Sequence, residues 1–129
     1  MGYSQHLKLS DDLKALCPTL FSESGAIVVS ECTYPQPFGN AWVQLRIDNL
    51  FFQFVSDRDL PRVDVFLSKR GWYYLWAFVS QRDDEIGFPH LFASEIQSQF
   101  PVPQSWPEWC DFLSQHYASV KKRLESGSL

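Results

Sequence analysis

The sequence predicts an α+β fold in which an antiparallel β-sheet of four to five strands, connected as a meander of hairpins, packs against N-terminal and C-terminal helices. Two patterns carry this expectation. Apolar and polar residues alternate with period two between residues 42 and 67, in runs separated by short turn signals. Near the C-terminus, apolar residues recur at helical spacing over about five turns. One core is expected, because 129 residues that are 45% hydrophobic and 16% aromatic fall within the usual size of one domain. A single domain is read, with ordered residues from about 8 to 125.

The chain opens with Ser10-Asp11-Asp12, which reads as an N-cap followed by acidic first-turn residues. Leu13, Leu16 and Cys17 then make a short amphipathic helix that Pro18 interrupts. Residues 22–25 are turn-like, and the β-branched run at 26–34, bounded by Pro35, marks a first strand. Pro35 and Pro37 remove ladder donors and Gly39-Asn40 favours a turn, so residues 35–40 form a loop.

Residues 42–47 and 50–55 alternate on either side of Asp48-Asn49, the strongest hairpin signal in the chain. A turn at 56–61 leads to a fourth alternating strand at 62–67. From Gly71 to Val79 the chain is apolar without a clean period, which fits either a fifth strand or a strand running into a buried helix. Asp83-Asp84-Glu85 breaks that run, and Gly87 and Pro89 mark a loop. A short helix is expected within residues 90–100, then Pro101-Val102-Pro103 as a stiff connector. The last helix opens with Ser105 and Glu108 at capping-box spacing and Pro107 in the first turn. Its apolar stripe is Trp109, Phe112, Leu113, His116, Tyr117, Val120 and Leu124, and Gly127 ends it.

Period two places Val43, Leu45, Ile47, Leu50, Phe52, Phe54, Val63, Val65 and Leu67 on one sheet face, which helices must cover. The opposite face carries Trp42, Phe51, Val55 and Phe66 among Gln44, Arg46, Gln53, Arg62 and Asp64. A face of that composition is either a second packing layer or a partner surface. The candidate partner-binding residues are therefore Trp42, Arg46, Phe51, Gln53, Arg62, Asp64 and Phe66.

Chemistry is hard to find. No Gly-x-Ser-x-Gly nucleophile turn is present, and His6, His90 and His116 fall in a chain end, a loop and an apolar stripe. No Cys-x-x-Cys, His-x-x-x-His or calcium-loop spacing occurs, so neither a metal nor a cofactor is expected. Asp83-Asp84-Glu85 reads as a solvated turn. Asp57, Arg58 and Asp59 form the densest charged motif; they shape a turn, or, as the enzyme alternative, build a small hydrolase site.

The net charge is −4, from 15 acidic against 11 basic residues, and the pI is near 5.2. That field repels nucleic acid and anionic membranes. Lys121-Lys122-Arg123 reads as complementing the C-terminal helix dipole. Cys17, Cys32 and Cys110 read as buried thiols of a reducing compartment. No secretory leader is read at residues 1–6, and no run approaches a membrane span, so the expected location is the cytoplasm.

Residues 38–45 (FGNAWVQL), then Phe54-Val55-Ser56-Asp57-Arg58 and Gly71-Trp72-Tyr73-Tyr74-Leu75, resemble a group of small uncharacterised bacterial proteins. Their pattern runs F-G-N-A, then R-F-V-x-D-R-G, then W-Y-x-L. The likeness covers about residues 25–80, and it departs at Gln53, where the group has Arg, and at Asp59, where it has Gly. Several such small acidic α+β proteins look like immunity proteins, which neutralise a toxin by covering its active site. The resemblance thus implies a non-enzymatic protein-binding module whose partner is a protein such as a basic toxin. The alternative within the binding class is a secretion chaperone or adaptor.

Overall fold

The computed structural model describes residues 9–33, 41–57, 60–80 and 101–125. Five strands, β1 (Ile27–Thr33), β2 (Ala41–Ile47), β3 (Leu50–Asp57), β4 (Leu60–Leu67) and β5 (Gly71–Tyr74), pair in chain order to form one antiparallel meander. Four helices are described with it: α1 (Leu9–Leu16), α2 (Pro18–Ser22), α3 (Leu75–Ser80) and α4 (Trp106–Glu125). The α+β expectation holds, with five strands in the sheet.

Turn chemistry sets the register. Ile47 faces Leu50 across Asp48-Asn49, and Asp48 takes φ 55, a left-handed conformation that Asp adopts more readily than most residues. Gly71 enters β5 with φ +78, where a side chain would be strained. In β1 the register shifts between Val28 and Ser30, a bulge on an edge strand.

The run from Gly71 to Val79 combines both readings that the sequence left open. It is strand through Tyr74 and helix from Leu75. Leu75, Trp76, Ala77 and Phe78 are all buried, and four consecutive buried residues show no polar-apolar period.

The inner sheet face is the core. Val43, Leu45, Phe52, Phe54, Val63, Val65 and Leu67 are fully buried, joined by Leu13 of α1 and by Trp109, Leu113 and Val120 of α4. Burial of side chains this size contributes on the order of 1.5–3 kcal/mol each. Trp109 adds direction, because its indole N–H donates to the Pro61 carbonyl at 3.1 Å and so fixes the start of α4 over β4.

Three local expectations need correction. Ser10 lies inside α1 and is buried; its hydroxyl donates to the Glu31 carboxylate on β1 at 3.0 Å, so it ties helix to sheet rather than capping a terminus. At α4 the Ser105 hydroxyl accepts from the Glu108 N–H at 3.3 Å as a capping box requires, but the Glu108 carboxylate accepts from the Gln104 N–H at 2.8 Å instead of from Ser105. Finally, Cys17 and Cys110 are joined as a disulfide, with Cα atoms 6.3 Å apart and a sequence separation of 93, and Cys32 alone is free. Packing of the α1–α2 corner against α4 brings the two sulfurs together, a meeting that sequence spacing does not reveal. No described helix is long and apolar enough to cross a membrane.

Candidate functional site

The sheet face turned away from α1 and α4 is the candidate site. Strand register arranges its side chains in three rungs. The first runs Ile27, Arg46, Phe51, Phe66, Trp72, with Ile27 facing Arg46, Arg46 facing Phe51 and Phe66 facing Trp72; continuing the β3–β4 register sets Phe51 against Phe66. The second is polar and runs Ser30, Gln44, Gln53, Asp64, Tyr74. The third runs Cys32, Trp42, Val55, Arg62.

The first rung is the exposed one. Phe51 and Phe66 are 38% and 42% exposed, and Phe66 meets Trp72 edge-on with ring centroids 5.3 Å apart. Two adjacent strands thus hold large rings open to solvent, each in a position fixed by the sheet.

The polar rung is internally satisfied. The Gln44 amide donates to the Gln53 side-chain oxygen at 2.8 Å, Gln53 hydrogen-bonds Asp64, and the Arg62 guanidinium donates to Asp64 at 3.1 Å. Asp64 is only 3% exposed. Burial raises its pKa above the usual 3.8, and Arg62 and Gln53 work in the opposite direction. The expectation that Asp64 offers a surface charge is therefore corrected: its carboxylate organises Arg62 and Gln53 from beneath.

No protein-family model, curated protein or solved structure matches this chain. What the site can do rests on its own geometry.

All seven candidate residues, Trp42, Arg46, Phe51, Gln53, Arg62, Asp64 and Phe66, stand on this face. Arg46, Phe51, Arg62 and Phe66 are exposed, whereas Trp42 and Gln53 are half-buried. Sequence reasoning missed Trp72 and Ile27, which complete the first rung. Trp72 sits in the run without a period, and its partner Phe66 emerges only once the turn at Gly71 is known. Of the charged turn motif, Asp57 closes β3 opposite Leu60, and Arg58 and Asp59 lie outside the described residues. So do His6, His90, the acidic run at 83–85, the loop at 35–40, the helix expected within 90–100 and Gly127.

A second feature lies on the helical side. A groove of about 300 Å³ along the start of α4 is lined by Pro101, Val102, Glu108, Asp111, Phe112 and His116, among others. The His116 ring meets Phe112 at a tilt of 53° with centroids 4.7 Å apart, and burial lowers its pKa below the usual 6.5. Among the described residues no three His, Cys, Asp or Glu side chains converge as metal ligands.

Proposed function

We propose that the chain is a non-enzymatic protein-binding module of the immunity type, which neutralises a toxin by direct contact through the outer sheet face. The observation that carries this reading is the pair Phe51 and Phe66, more than a third exposed on a sheet whose other face forms the core. Rigid aromatic anchors above a hydrogen-bonded polar rung are the composition of an interface centre, where few residues supply most of the binding energy. A module of this kind needs no reacting groups, only a fixed surface. At long range a net charge of −4 favours approach by a basic protein.

Location bears on the proposal through the Cys17–Cys110 pair. Disulfides persist in oxidising compartments and are reduced in the cytoplasm. The joined Cys17–Cys110 pair therefore favours a module that meets its partner in an oxidising compartment over the cytoplasmic location expected from the sequence.

The test is quantitative capture from host lysate with wild type and the F51A/F66A variant, with D111A on α4 as control. The reading predicts one stoichiometric partner, lost in F51A/F66A and kept in D111A. Capture unchanged in F51A/F66A would sink it.

A further inference from the structure

We propose that the surface meeting the outer sheet face presents carboxylates set among apolar side chains, an inference that rests on the binding-module reading above. Charge on this protein is segregated in a way that net charge conceals. The chain is acidic overall, yet the exposed charges around the first rung are cations apart from Asp48, which is tied to Tyr117 and Lys121 of α4. Arg46 stands between Ile27 and Phe51, exposed, and makes no hydrogen bond or ion pair with another described residue. Lys69 and Arg70 are exposed in the turn that joins the strand of Phe66 to the strand of Trp72.

The nearby carboxylates are already engaged. Asp64 is the one carboxylate on this face among the residues whose side chains are described, and it is buried against Arg62 and Gln53. Asp48, at the same end of the sheet, accepts from the Tyr117 hydroxyl at 2.6 Å and lies 3.4 Å from the Lys121 ammonium, both on α4. Glu31 on β1 holds the Ser10 hydroxyl on the helical side. A basic surface pressed on the first rung would meet cations and, among the described residues, no carboxylate that is not already paired. An acidic one would meet a guanidinium able to pair with it in bidentate geometry beside two rings. Attraction of a basic protein at long range is compatible with this, because the local patch and the net charge act at different distances.

Nucleic acid is also anionic and also stacks on aromatics, but the −4 net charge opposes a polyanion along its length. A carboxylate patch asks for only two or three local pairs.

The test uses the full chain, isotope-labelled, with the ring signals of Phe51, Phe66 and Trp72 followed during NMR titration. The probes are indole-3-acetate, its neutral amide indole-3-acetamide, the cation tryptamine and a short single-stranded oligonucleotide. The expected order is acetate, then amide, then amine, with the acetate binding about threefold tighter than the amide, as an exposed charge pair supplies. Arg46→Gln should remove that preference and Lys122→Gln on α4 should keep it. Equal affinities, tryptamine first, tighter binding of the oligonucleotide, or no perturbation of these rings would overturn the proposal. If the order fails while F51A/F66A still loses the captured partner, only the carboxylate preference falls. If capture is unchanged in F51A/F66A, the binding reading itself falls.

Discussion

The Tyr117 hydroxyl on α4 donates to the Asp48 carboxylate at 2.6 Å, with the Ile47 carbonyl 3.2 Å away, and so ties the β2–β3 turn to the C-terminal helix. This bond and the Lys121 ammonium lower the Asp48 pKa below 3.8, while burial and Asp48 push the Tyr117 hydroxyl well above its usual 10. An acid with a depressed folded pKa contributes stability above its unfolded pKa and loses it as pH falls through the folded one. Tyr117→Phe should therefore flatten the acid side of the stability curve below about pH 4, read by urea unfolding at a series of pH values. An unchanged acid limb would contradict the pairing.

Asp64 gives the opposite sign. Its folded pKa is raised by burial, so its contribution is full below 3.8 and is lost as pH rises through the folded value. Asp64→Asn should remove this loss, and the variant's stability relative to wild type should rise across that window. The same unfolding series reads it.

The Cys17–Cys110 bond spans 93 residues, a separation at which cross-linking restricts the unfolded chain strongly. Cys110→Ser should lower unfolding free energy by about 2–4 kcal/mol relative to the oxidised protein, and reduction of the wild type should do the same. Thiol counting on protein taken from the cell distinguishes the two states: one free thiol when Cys17 and Cys110 are joined, three when they are not.

The two sheet faces should answer differently to truncation. Trp109 is fully buried and donates to Pro61, so Trp109→Ala should cost about 3–5 kcal/mol. Phe51→Ala and Phe66→Ala should each cost about 1 kcal/mol, because much of each ring is already in water. Thermal unfolding of the three variants gives the comparison.

Legibility in the sequence followed burial pattern. Strands β2 to β4 were readable because each has one wet and one dry face, which writes period two directly into Val43, Leu45 and Ile47 or Val63, Val65 and Leu67. The α4 stripe was readable for the same reason at period 3.6. Helix α3 was legible only as one of two readings, since Leu75 to Phe78 are all buried and leave no period. The disulfide and the Ser10–Glu31 bond depend on how α1 and α4 settle on the sheet, a long-range outcome without a local signature. At the candidate site the seven residues on β2, β3 and β4 came from alternation alone. Trp72 and Ile27 required the register of the edge strands, and the burial of Asp64 required its neighbours in three dimensions.

The proposed docking of a partner on the outer sheet face is tested most directly by site-specific photocross-linking. A photoreactive p-benzoylphenylalanine is placed at position 66, and in a second variant at Leu16, which is 51% exposed on the helical side. Cross-linking in host lysate from position 66 to one partner, with none from position 16, is the predicted result. Cross-linking from position 16 alone would contradict it and move the docking surface to the helices.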